Sequence, residues 1–368
     1  MEKNGHEVIE YTINNDVINE MTFLKKMQVA IETPWSLTEY RKFTAFLKKN
    51  KPTIVHVHNF FPLFSPSIYY ACEKQKIPLI QTLHNYRLLC PSAMFLRENK
   101  ICEKCLDGSI FNSVIHSCYR GSISQTIPIA GMITLNKILN TWNKKVDKFI
   151  ALTEFAKSKF IQGGIREDKI LIKPNFINST TNKIDIKERE KIILFVGRLS
   201  KEKGADVLLE AWKLIENKCG YKLVIIGEGP EEETLKNDYN GEDIVFKGSL
   251  NSNDVLENMR KCRYLVVPSI WYEGFPMTII ESYSVGTPVL GSNIGSLKEI
   301  ITDGKNGYKF EAGSVKNLAV SLQKIINENE TNYHQIVETT ISNFQKKYTE
   351  KVNYNTLIDI YNKAIKGD

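Results

Sequence analysis

The sequence predicts an α/β protein made of two doubly wound, Rossmann-like domains. Three observations carry this prediction. From about residue 190, apolar strand-like runs alternate regularly with amphipathic helical patterns, the signature of a parallel sheet with crossover helices. The first half shows a looser form of the same alternation. At 368 residues, the chain is long enough for two domains of ordinary size. The expected boundaries are a first domain over 1–175, a linker over 176–189 and a second domain over 190–368, with the last helix packing back on the first domain.

In chain order, HEVIEYTI (6–13), TIVHVHN (53–59), IPLIQTLH (77–84) and VDKFIALT (146–153) read as strands. Between them, SLTEYRKFTAFLKKN (36–50) and SPSIYYACEKQ (65–75) read as helices. The stretch from Pro91 to about Thr141 fits no simple strand–helix unit and includes a cysteine-bearing insert at about 90–120. The polar, charged stretch PNFINSTTNKIDIKERE (174–190) has the composition of a linker. Beyond it come the strands KIILFVGRL, YKLVIIGEGP, DIVFKGSL, RYLVVPSI and TPVLGSN. The intervening or following helices are GADVLLEAWKLIE, EEETLKNDY, NDVLENMRKC, the segment after Pro276, and SVKNLAVSLQKIINE. No internal repeat and no low-complexity tract is visible.

Composition is that of a soluble globular protein: 42% hydrophobic and 25% charged. No uninterrupted apolar run is long enough to span a bilayer, and the polar start MEKNGHEV has no signal-peptide pattern. The expected place is the cytoplasm, where the seven cysteines stay reduced or bind metal. The net charge of +7 is uneven: residues 1–175 carry 24 Lys+Arg against 15 Asp+Glu, and residues 176–368 carry 25 against 27. An anionic partner for the first half follows, either a membrane leaflet or nucleic acid, with an ordinary lysine-rich surface as the alternative.

The most informative stretch is EGFPMTIIE (273–281). Pro276 cannot donate a backbone hydrogen bond and suits the first turn of a helix. Gly286 suits the helix end, with Pro288 following. Glu273 then lies in the loop feeding the helix and Glu281 in its second turn. The helix N-terminus opens at the carboxyl edge of the strand RYLVVPSI, where open α/β sheets bind ligands and free N–H groups favour an anion. An anion that also carries hydroxyls would use both features, which describes a nucleotide sugar. Two solvated glutamates are the plain alternative. Arg198 and Lys203 in GRLSKEKG are placed to converge on one anion, and the glycines let backbone approach closely. GEGP (227–230) adds a third such strand end.

GRLSKEKGADVLLEAW, VIIGEGP and EGFPMTIIESYSVGTPVL, in that order, closely resemble the donor domain of retaining glycosyltransferases of family 4, with the GT-B fold. GHEVIEYT, PTIVHVHN, LIQTLHN and IKPNFIN extend the resemblance over nearly the whole chain. It implies two domains facing across a cleft, the first on the acceptor side and the second holding the donor. It implies that Arg198 and Lys203 grip the donor diphosphate, that Glu281 binds the ribose hydroxyls and that Glu273 faces the donor sugar. Gly274, Phe275 and Pro276 line the sugar and phosphate, and Thr278 lies near the phosphates. Gly197, Gly227 and Gly229 complete the expected donor set. His84 matches a histidine near the donor sugar and acceptor, against a plain structural histidine; His56 and His58 also end a strand, with weaker claims. Cations and N–H dipoles replace a catalytic metal, in line with the lack of an Asp-x-Asp motif. The donor is expected to be a UDP-sugar rather than a GDP-sugar, and the acceptor a glycan or lipid-linked molecule of bacterial surface polysaccharide synthesis.

The resemblance also implies that a strand, a glycine-bearing loop and a helix precede a segment like KNGHEVIEYT, so the first domain is expected to lack its first strand-loop-helix and the strand near 7–13 to lack a partner. A weakly active or inactive nucleotide-sugar-binding scaffold is the alternative on that ground. Cys90, Cys102, Cys105 and Cys118 have spacings that suit a structural zinc, with four small buried side chains as the alternative. A nucleic-acid-binding protein built on the basic half and a zinc knuckle leaves Arg198, Lys203, Glu273 and Glu281 unexplained, so no nucleic-acid partner is expected. The aromatic stretch NFFPLFSPSIYY (59–70) is the expected contact with the inner face of an anionic membrane.

Overall fold

The structure, a computed structural model, describes residues 1–178 and 186–367. Half of the expected linker 176–189, residues 179–185, lies outside the described residues. The chain divides into two compact units. The first comprises Met1–Phe95, Cys102–Lys173 and Tyr354–Asp368; the second comprises Leu96–Ile101 and Pro174–Asn353.

In the first unit, β1 (Val55–Val57), β2 (Leu79–Leu83), β5 (Lys148–Ala151) and β6 (Ile170–Ile172) form a parallel sheet in the order β1-β2-β5-β6. The small antiparallel hairpin of β3 (Leu96–Arg97) and β4 (Lys100–Ile101) interrupts this unit in sequence and is assigned to the second one. All five residues of β2 are buried, as an interior parallel strand requires. Ile360 and Ala364 of the helix Glu350–Lys366 pack with Ile80 and Ile150 on one face of this sheet.

The second unit is a six-stranded parallel sheet. Its strands are β7 (Ile192–Val196), β8 (Lys222–Ile226), β9 (Ile244–Phe246), β10 (Tyr264–Val267), β11 (Val289–Ser292) and β12 (Gly307–Phe310). Their order, β12-β11-β10-β7-β8-β9, reverses direction between β7 and β10, the doubly wound arrangement. One apolar layer, with Trp212, Leu208 and Tyr333, covers one face; another, with Ile279, Tyr283 and Phe344, covers the other. The site residues lie at the carboxyl ends of the three adjacent strands β10, β7 and β8.

Two expectations are corrected here. Residues 6–13 form no strand: a strand exists only through hydrogen bonds to a neighbour, and this segment has none. Val8, Ile9 and Ile13 are exposed, and Tyr11 anchors the segment by packing on Phe43, Phe46 and Phe64. The four strands of the first sheet are consecutive neighbours with no gap. The aromatic stretch 59–70 is turned largely inward: Phe60, Ile68 and Tyr69 are buried, with Tyr69 edge-on to Phe60 and Trp142, while Phe61, Leu63, Phe64 and Tyr70 are half-buried.

Candidate active site

The loops after β7 and β8 are fastened to each other by backbone. Gly197 N–H donates to Ile226, Leu199 N–H to Glu228 and Glu231 N–H to Leu199, all at 2.9–3.0 Å. This zipper explains two glycines. Gly227 has φ of +138°, and a Cβ there would lie 1.9 Å from the Gly197 carbonyl oxygen. At Gly229, a Cβ would meet the Leu199 carbonyl oxygen at 2.3 Å. Only glycine lets the two strand ends close. Arg198 emerges from this zipper with its side chain exposed.

Lys203, in the short turn Lys201–Lys203 after β7, reaches the loop after β10. Its ammonium donates to Glu273 Oε1 at 2.7 Å and lies 5.4 Å from the Trp271 ring centre. The same carboxylate oxygen accepts from the Ser269 hydroxyl at 2.8 Å and from the Trp271 indole N–H at 3.0 Å. The Ser296 hydroxyl donates to the Glu273 carbonyl at 2.7 Å. Glu273 is 6% exposed, and three donors on Oε1 fix its rotamer while Oε2 has no protein partner among the described residues. Lys203 and Glu273 are therefore one ion pair rather than two separate elements. Ser269, Trp271 and Ser296 are contributors that the motif reading did not single out, although the first two flank it directly.

Pro276 is the N-cap of the helix Met277–Ser284, one position before its first turn, and no side chain caps that end. This corrects its expected place inside the helix. Ile279 N–H already donates to the Pro276 carbonyl at 3.1 Å, which leaves the Met277 and Thr278 N–H groups of the first turn at the positive end of the dipole. Phe275 packs edge-on to Tyr348, which pins the backbone that carries Gly274. Glu281, in the second turn, is half-buried, and its carboxylate has no hydrogen-bond partner among the described residues. Burial raises its pKa. A desolvated carboxylate without a donor is costly unless a ligand supplies one.

In the first unit, a cavity of about 380 Å³ opens at the carboxyl ends of β1 and β2. His58 and His84 line it, with His58 Nδ1 hydrogen-bonded to His84 Nε2 at 2.8 Å. His56 stacks on His58, 4.4 Å between ring centres. His56 is itself hydrogen-bonded to the Tyr361 hydroxyl and to Thr82 Oγ1, both at 2.7 Å. Burial, then the neighbouring His58, lowers His56 to about 3 and His84 to about 4; burial, then Lys173, lowers His58. A direct ring–ring hydrogen bond needs one nitrogen without a proton, so both rings cannot be cationic there. The sequence put His84 first, with weaker claims for His56 and His58; the structure joins His84 to His58 and, through the stack, to His56. Tyr361 carried no sequence signal, standing 305 residues from His56.

The cysteines do not form the expected metal set. Among the described residues, no group of three or more His, Cys, Asp or Glu side chains is placed to hold a metal ion. Cys90 shares a 3.2 Å hydrogen bond with the Ser92 hydroxyl, and Cys105 donates to the Ile110 carbonyl at 3.9 Å. Cys102 is held by its N–H bond to Phe95. Burial pushes the Cys105 thiol up to about 12, with Cys90, Cys118 and Cys102 adding to the shift. The four thiols thus share a neighbourhood, and those of Cys90 and Cys105 have local hydrogen-bond partners.

The strand order and the strand-end site define a GT-B glycosyltransferase fold, and comparison with known proteins agrees. Residues 177–342 match the family Glycosyl transferases group 1, and residues 1–181 match Glycosyltransferase Family 4. The chain belongs to the group 1 glycosyltransferases of family 4. It is 24% identical to an uncharacterized glycosyltransferase of Methanocaldococcus jannaschii, over 96% of this chain and 88% of that protein. It is 28% identical to a phosphatidyl-myo-inositol mannosyltransferase of Mycobacterium leprae, over 51% of this chain and 52% of the relative. Among solved structures, HepE of Anabaena in complex with UDP superposes with a TM-score of 0.66 at 16% identity, covering 88% of this chain and 82% of that one. Among the described residues, no helix is long and apolar enough to cross a membrane.

Proposed function

We propose that this glycosyltransferase is a retaining enzyme that moves a sugar from a UDP-sugar to a glycan or lipid-linked acceptor in surface polysaccharide assembly, without a catalytic metal. The observation that carries the donor reading is the convergence of Arg198, the Lys203–Glu273 pair, an uncapped helix start and the unpartnered Glu281 carboxylate at three adjacent strand ends. HepE, similar in fold, has been solved with UDP and with UDP-glucose, which supports a uridine donor. In this reading the diphosphate lies on the helix N-terminus and Arg198, Glu281 accepts from the ribose hydroxyls, and Glu273 Oε2 faces the sugar. When the anomeric carbon–oxygen bond breaks, negative charge grows on the diphosphate. Fixed cations and N–H dipoles lower that transition state more than the ground state. Lys203 is held by Glu273 until the diphosphate competes for it. Proton NMR of turnover over a panel of UDP- and GDP-sugars, with and without chelator, tests the reading. The expected outcome is chelator-resistant transfer from one UDP-sugar with the donor's anomeric configuration kept. Inverted product, or loss of turnover on chelation, contradicts it.

The membrane contact is proposed on different residues from the aromatic stretch. The helix Phe23–Glu32 exposes Phe23, Leu24, Met27 and Ile31 on one side and packs against the helix Ile123–Ile138, which exposes Ile123, Ile127 and Ile138. Lys25 and Lys26 lie on the same helix, and the basic excess of residues 1–175 complements an anionic bilayer. Sedimentation with anionic vesicles should capture the protein, and Phe23→Ser with Ile31→Ser should release it. Equal capture by neutral vesicles, or self-association through this face, would contradict the assignment.

A further inference from the structure

The cavity of the first unit holds two arginines that no carboxylate neutralises. Arg87 and Arg120 both line it, and neither forms an ion pair among the described residues. Arg87 is half-buried. One of its nitrogens, Nη1, donates to the Pro91 carbonyl, and its guanidinium carbon lies 4.8 Å from the Phe61 ring centre and 5.1 Å from that of Tyr119. Arg120 lies over Tyr119 at 5.4 Å. Phe61 and Tyr119 meet edge-on at 5.8 Å. The guanidinium of Arg87 is therefore held between two rings, with its remaining N–H groups lacking a protein partner among the described residues. Burial, and the like charge of Arg120, pull its pKa down. Holding this cation in place without an anion has a desolvation cost.

Charge balance in the cavity points the same way. Asp16 is the only carboxylate among the lining residues, against two guanidiniums. His58 and His84 are lowered by burial and do not add positive charge near neutrality. The lining is otherwise rich in amides, including Asn15, Asn59 and Asn85. Amides read hydroxyls; planar guanidiniums read oxyanions in bidentate fashion. The volume suits one sugar ring with an attached oxyanion.

We propose that this cavity is an acceptor subsite selective for an oxyanion, in which Arg87 and Arg120 hold a phosphate or carboxylate group of the acceptor while the amides and His84 face its hydroxyls. This rests on the reading of the chain as a transferase from a nucleotide sugar. It adds that the acceptor is charged at the sugar next to the reacting hydroxyl. The pair is a specificity device: it acts on the choice of acceptor and leaves the donor to the second unit.

Three acceptors matched in their alkyl chain test this: an alkyl glucoside, the alkyl glucuronide and the alkyl glucosyl phosphate. Equilibrium binding of each to the full chain, followed by NMR without donor, is independent of turnover. The expected result is that one of the charged acceptors binds at least about tenfold more tightly than the glucoside, with the preference shrinking as salt rises. The glucuronide and the phosphate distinguish a carboxylate source from a phosphate source. Arg87→Gln and Arg120→Gln should each reduce the preference about 10- to 100-fold, and Arg87→Lys should restore only part of it. Arg120 is exposed, so its variant remains informative where Arg87→Gln fails to fold. Equal binding of all three acceptors by the wild type, or an unchanged preference in both variants, overturns the proposal. Failure of every donor to turn over would instead overturn the transferase reading, and the binding comparison would still decide this one.

Discussion

At the scale of single residues, the donor reading assigns different work to side chains that share one neighbourhood. Arg198→Ala and Lys203→Ala should each lower turnover by about 100-fold or more, since each removes a contact made to charge that develops in the transition state. Steady-state kinetics with unchanged circular dichroism check this, and full activity in either variant contradicts the diphosphate assignment. Glu281→Ala should mainly raise the donor KM, because ribose contacts bind ground and transition states alike; Glu273→Ala should mainly lower kcat. Identical behaviour of the two variants would remove the division of labour. Burial raises the Glu281 pKa, so its carboxylate takes up a proton at higher pH than a free glutamate. Donor affinity should accordingly begin to weaken on acidification at higher pH than an ordinary carboxylate would allow, and Glu281→Gln should flatten that limb. The sequence showed these residues because motif and strand end coincide. It did not show that Lys203 and Glu273 bond to each other, because that contact closes across 70 residues.

At the scale of elements, the second-unit sheet was legible because each apolar run is bounded by turn chemistry and followed by a helical period. The expected strands and helices from KIILFVGRL to TPVLGSN all form, within a few residues at their ends. Elements that escaped were of other kinds. The helix Ile123–Ile138 contains Pro128, which reads as a breaker, yet the helix continues through it and is capped by the Ser122 hydroxyl. β6 and β12 are short, and the helix Glu330–Lys347 lies beyond the regular alternation. HEVIEYTI had the right residues for a strand but no neighbour to pair with. Pairing between strand-end loops supplies a direct test of element-level packing. Gly227→Ala should cost at least about 2 kcal/mol, because the new Cβ meets the Gly197 carbonyl at a strained φ. Thermal melting checks it; a wild-type melting temperature would show that the zipper has slack.

At the scale of the whole molecule, the histidine stack makes stability depend on pH. His56 and His84 titrate near 3 and 4 when folded, against about 6.5 for an unperturbed imidazole. Between these values the unfolded chain binds more protons, so stability is present above about 6.5 and is lost as pH falls toward 4. Melting temperature should fall over that window, and His84→Asn should make the fall shallower; equal slopes would contradict the linkage. Fold class was readable from alternation alone, and the donor site from motif order. The cavity was not: Tyr119 and Arg120 come from the stretch that fits no regular unit, Arg87 stands in the loop just before it, and only folding brings them together beside His58 and His84. The central claim is that the three strand ends of the second unit hold a nucleotide diphosphate. Equilibrium binding of UDP to the full chain and to Arg198→Ala and Glu281→Ala tests it most directly. The account predicts one UDP per wild-type chain and affinity weaker by about tenfold or more in each variant; absence of binding in the wild type, or unchanged affinity in both variants, would contradict it.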